Sequence, residues 1–127
     1  MKTCVRKIDL SNSLIVQIYD ATRRYYEDYH LVRLEIECDV AVQEEFFAGP
    51  EEFTRARGLF GESVRYQRTV EKMGVPFAEI ASAREELIAC FVSTALPYLA
   101  SAIFPRKFVE AEVKKASDTM RRSIVKW

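Results

Sequence analysis

The chain has 127 residues, with 19 basic and 19 acidic side chains and a net charge of zero. That balance argues against a role dominated by nucleic acid or an anionic membrane, since such binding usually leaves a basic excess. The 49% hydrophobic content, with 8 Phe, 6 Tyr and 1 Trp, excludes a disordered chain, because that much apolar area offsets the entropy lost on ordering.

The length fits one domain, 1–127, strand-rich over 1–73 and helical over 76–127. Cys4, Cys38 and Cys90 are odd in number, form no CxxC motif and each fall in an apolar pattern. They read as reduced, buried thiols of a cytoplasmic protein. Met1–Leu10 is charged and alternating, unlike a secretory leader.

Cys4–Leu10 alternates, with Cys4, Ile8 and Leu10 on one face and Arg6 as the exception. Ser11-Asn12-Ser13 is a turn, with Asn12 the residue suited to positive φ. Leu14–Asp20 is a second strand. Leu31–Val42 carries the clearest pattern in the chain. Val32, Leu34, Ile36, Cys38, Val40 and Val42 share one face, and Arg33, Glu35, Glu37 and Asp39 the other. A period of two over a dozen residues predicts an antiparallel strand with one wet face.

Gly49-Pro50-Glu51-Glu52 starts a short helix, since proline suits the first helical position and acidic residues the positive end of the dipole. Gly58 is expected to stop it. Glu62–Met73 alternates and is expected to be a fourth strand, with Arg65 and its neighbours facing the acidic row Glu35, Glu37 and Asp39.

After Gly74-Val75-Pro76 a long helix is expected. The run Ile88–Phe104 within it holds 17 residues without one charge. Pro97 kinks this helix by removing a backbone bond, and Pro105 ends it. The run is short for a membrane span and is interrupted by proline, so a buried core helix is the expectation. In the last helix Val109, Val113, Ala116, Met120, Ile124 and Trp127 recur at helical spacing. Arg106–Lys126 carries seven basic and three acidic residues, read as a solvated face with cations near the helix end.

Strands first and helices last predict an α+β fold. Its form is an antiparallel β-meander of about four strands, covered on one face by helices, one of them long and Pro-kinked. The apolar run is wide enough to suggest a two-fold homodimer, with Phe91, Leu96, Tyr98, Leu99 and Ile103 as candidate interface residues.

Motifs for chemistry are scarce. His30 is the single histidine, and the four glycines form no phosphate-binding loop. No G-x-S-x-G surrounds a serine, and one His beside carboxylates is weak spacing for zinc. Neither a metal nor a cofactor is expected, and no catalytic residue is assigned.

The segment Arg23-Arg24-Tyr25-Tyr26-Glu27-Asp28-Tyr29-His30 concentrates cationic, aromatic and imidazole groups. Arg23, Arg24, Tyr25, Tyr26 and His30 are therefore candidate contact residues, with an irregular hairpin as the plain alternative. Phe46-Phe47 before Gly49-Pro50 is a further contact candidate if exposed. The leading expectation is a non-enzymatic, self-associating interaction module with a possible protein partner. A small apolar-ligand domain with its pocket between sheet and long helix is the alternative. An RNA-binding accessory protein is the third reading, and zero net charge weighs against it.

Overall fold

The computed structural model describes residues 3–125, and side chains over 3–119. The chain forms two compact units, Met1–Cys38 with Tyr66–Ser101, and Asp39–Arg65 with Ala102–Trp127. Five strands and four helices occur among the described residues: β1 Thr3–Asp9, β2 Ile15–Asp20, β3 Arg23–Tyr26, β4 Tyr29–Ala41, α1 Pro50–Phe60, β5 Ser63–Pro76, α2 Ile80–Thr94, α3 Leu96–Leu99 and α4 Phe104–Val125. The fold is α+β around an antiparallel sheet.

β1 pairs with β2, and both β2 and β3 pair with β4. β2 and β3 follow one register, with Val16 opposite Cys38 and Arg23 opposite Leu31. They are two pieces of one strand, broken at Ala21-Thr22. Local side-chain bonds cause the break. Thr22 N–H donates to Asp20 Oδ1 (2.9 Å), and Thr22 Oγ1 takes the Arg33 N–H (3.3 Å) that a strand carbonyl would otherwise receive. β5 lies on the other edge of β4. The meander of four strands is thus present with its second strand interrupted.

The alternation along β4 has the predicted consequence. Val32, Leu34, Ile36 and Cys38 are buried in the first unit, and Val40 in the second. The predicted cross-strand charge pairing is also present. Arg65 donates to Asp39 (2.9 Å), Gln67 to Glu37 (3.4 Å) and Arg33 to Glu71 (3.2 Å). That face is less wet than its charges suggest, since Glu37 is buried. Arg6, the exception in β1, follows a β-bulge between Cys4 and Arg6. The extra residue moves Arg6 opposite Ile18 and so onto the helix-facing side.

Three successive residues of α2 hold it over the sheet. Arg84 donates to Asp20 of β2 (3.1 Å), Glu85 accepts from Arg6 of β1 (3.2 Å), and Glu86 accepts from Lys72 of β5 (3.4 Å). Beneath them Val32, Val75 and Ala83 form a buried cluster with Ile80 and Leu87 packed against it. Burial works to raise the Asp20 carboxyl. The Thr22 hydroxyl and N–H, together with the Arg84 guanidinium, outweigh it and hold the group below the ordinary aspartate value.

Several local expectations are corrected. The positive φ of the first turn belongs to Ser13 (71°), not Asn12. Asn12 instead donates its amide to the carbonyls of Leu99 (2.7 Å) and Ser101 (2.9 Å), satisfying the open end of α3. Gly58 lies inside α1, which ends at Gly61, where φ is 76° and the N–H reaches Arg57 O (2.8 Å). The long helix is divided rather than merely kinked. α2 ends at Thr94, Pro97 falls in the first turn of the separate four-residue α3, and Phe104 begins α4. Cys4 and Cys90 are exposed, and only Cys38 is buried. Cys4 lies on the bulged edge strand and Cys90 on the outer side of α2, away from the core residues Ile88 and Phe91.

In the second unit α4 presents Phe104 and Val109 to a core that also holds Val40, Val42, Ala56 and Val64. Phe104 and Phe108 stack at 5.5 Å. Val113 and Ala116 follow on the predicted stripe and are half-buried. The side chains of Met120 and Ile124, and Trp127, lie outside the described residues.

Candidate functional sites

Two places gather the residues singled out by sequence. The first is the β3–β4 hairpin tip. The segment read as an irregular hairpin is one: Arg23 and Arg24 of β3 pair with Leu31 and His30 of β4, and the register shifts between Arg24 and Tyr26. A two-residue turn, Glu27-Asp28, joins them, with Glu27 held at φ 46°. A non-glycine side chain there is strained, and such strain concentrates at contact sites.

The tip is fastened to the segment after β5. Asp28 Oδ1 accepts from the Phe77 N–H (3.3 Å). His30 Nδ1 lies 3.0 Å from the Asp28 carbonyl and 3.2 Å from the Val75 carbonyl. Both partners only accept, so Nδ1 carries the proton and donates. The His30 ring packs at 6.1 Å against Phe77. Around this anchor Tyr25, Tyr26 (61%), Tyr29, Met73 (68%) and Phe77 (71%) are exposed, half of the ten exposed large hydrophobics among the described residues. Arg23, Arg24 and Glu27 have no ion-pair partner among the described residues.

The structure therefore joins Arg23, Arg24, Tyr25, Tyr26 and His30, and adds Tyr29, Met73 and Phe77. Tyr29 was within the marked segment. Met73 and Phe77 were not marked, since Met73 ends the expected strand Glu62–Met73 and Phe77 opens the expected long helix. Phe77 instead lies in a 3-10 turn, Phe77–Glu79, ahead of α2.

The second place lies in the other unit. Phe46 and Phe47 are half-buried, at the end of a 3-10 turn over Glu44–Phe46. They line a cleft of about 390 Å³ with Ala48, Glu52, Arg55 and Arg106, a size within the range of small-molecule sites. Glu110 and Val113 of α4 complete it. Phe47 is propped by Phe53 at 6.1 Å. The sequence pointed to the two phenylalanines but not to the charged residues, which arrive from α1 and α4.

The proposed interface residues divide. Phe91 and Leu99 belong to the core of the first unit, and Leu96 is half-buried. Tyr98 (58%) and Ile103 (55%) are exposed. No group of three potential metal ligands occurs among the described residues, and no helix among them is long and apolar enough to cross a membrane.

Comparison with family models, curated proteins and solved structures finds no match.

Proposed function

We propose that this is a non-enzymatic, cytoplasmic binding protein that self-associates through the tyrosine-rich end of its sheet. The observation that carries the reading is the concentration of Tyr25, Tyr26, Tyr29, Met73 and Phe77 at one anchored hairpin. Large exposed aromatics on a rigid support are what interface centres are made of. The charges around them are self-complementary. Unpaired Arg23 and Arg24 sit four and three residues from unpaired Glu27, so a two-fold contact brings the cations of one copy to the anion of the other. Three free thiols, two of them exposed, suit a reducing compartment.

Native mass spectrometry tests this. The protein is expected as a dimer, and a Tyr26→Ser, Phe77→Ser double variant as a folded monomer by circular dichroism. A Tyr98→Ser, Ile103→Ser variant should stay dimeric. A monomeric parent protein at high concentration overturns the reading. So does loss of the dimer only in the Tyr98, Ile103 variant, which moves the interface to the apolar run. Salt-sensitive retention on heparin that depends on Arg23 and Arg24, without dimerisation, overturns it in favour of nucleic acid.

A further inference from the structure

The cleft in the second unit has a charge pattern that selects a ligand class. Four of its lining residues are charged: Arg106, Glu110, Arg55 and Glu52. Two of these satisfy each other. Arg106 Nε donates to Glu110 Oε1 (3.1 Å), and its Nη2 donates to the Glu45 carbonyl (3.4 Å). That guanidinium is held in place by partners on both sides. Arg55 and Glu52 are different. Neither has an ion-pair partner among the described residues. They are three residues apart on α1, which puts them side by side on one helix face. The cleft thus offers one free cation and one free anion together, beside the apolar wall of Phe46 and Phe47.

We propose that this cleft binds a small zwitterion bearing an aromatic or branched apolar group, the chemistry of a free apolar α-amino acid. The ligand carboxylate meets the Arg55 guanidinium, whose fork geometry matches it. The ligand ammonium meets the Glu52 carboxylate. The apolar group lies against the rings of Phe46 and Phe47, where aromatic contact adds to burial. A simple organic anion satisfies Arg55 but faces Glu52 as a like charge, and a simple amine does the reverse. The zwitterion alone answers both.

Isothermal titration calorimetry with three probes tests the assignment: L-phenylalanine, 3-phenylpropionate and phenethylamine. L-Phenylalanine is expected to bind at least about tenfold more tightly than either truncated probe. Arg55→Gln should remove its advantage over phenethylamine, and Glu52→Gln its advantage over 3-phenylpropionate. Both side chains are exposed, so the variants should fold as the parent does, checked by circular dichroism. Absence of L-phenylalanine binding to the folded parent overturns the proposal. Equal binding of all three probes overturns it too, since only the apolar wall would then be read. The dimer test above has no bearing on this result, because the cleft and the hairpin share no residue.

Discussion

The two hairpin turns of the meander start from the same local difficulty and end in opposite uses. Each contains a non-glycine residue at positive φ, Ser13 at 71° and Glu27 at 46°. At the β1–β2 turn the neighbouring side chain turns inward. Asn12 donates to two carbonyls at the end of α3, and Ser11 adds a third bond to Ala100 O (3.2 Å). At the β3–β4 turn the backbone is anchored, through Asp28 and His30, while the aromatic side chains point to solvent. Turn strain alone therefore does not identify a contact surface. What separates the two is where the adjacent side chains find partners.

The sharpest way to break this comparison is to exchange the losses. Asn12→Leu leaves two carbonyls of the α3 end without donors and should destabilise by about 2 kcal/mol, read from the midpoint of urea unfolding. Tyr26→Ser should change that midpoint by no more than about 0.5 kcal/mol. Equal losses would mean that the tyrosine end is structural and the comparison wrong. His30→Leu comes next. It removes the donor to the Val75 carbonyl while keeping bulk, and about 1 kcal/mol is expected. Its larger effect should be faster amide exchange at Asp28 and Phe77, which a purely packing role would not produce.

Asp20 gives a smaller, pH-dependent effect. Its folded value is depressed, so its contribution is present above the unfolded value, about 3.9, and is lost as pH falls through the lower folded value. The parent should lose stability below about pH 4 more steeply than Asp20→Asn, and thermal melts at pH 3 and 6 would show whether it does. The smallest effects belong to the strained turns themselves. Ser13→Gly and Glu27→Gly relieve the backbone but free the unfolded chain, so each should stabilise by at most a few tenths of a kcal/mol. A gain at Glu27 without loss of dimer would show that neither the strain nor the Glu27 carboxylate is needed for the contact.

The sheet was the legible part of this chain. Period-two alternation in Leu31–Val42 depends on burial, and burial writes directly into sequence; in Glu62–Met73 it is fainter, with Val64 buried and Tyr66 and Val70 half-buried. The break between β2 and β3 was hidden because it depends on where the Thr22 hydroxyl and the Asp20 carboxylate point. The division of the long helix had a visible cause in Pro97, but not its extent, because the α3 end is held by Asn12, more than eighty residues earlier. At the hairpin, composition marked Arg23–His30 as a segment where cationic, aromatic and imidazole groups gather. Met73 and Phe77 joined it only through folding. The cleft shows the same limit, since Glu52 and Arg55 come to it from α1 and Arg106 from α4.

The triplet Arg84-Glu85-Glu86 has a consequence for how α2 finds its seat. Each half-exposed pair contributes little to stability, about 1 kcal/mol or less. Their order matters more than their sum. The helix reads plus, minus, minus against an aspartate, an arginine and a lysine on three different strands. A rotation by one residue would set Glu85 toward Asp20, a like-charge contact that costs energy instead of gaining it. The triplet works as a key with three teeth, rejecting wrong rotations of the helix.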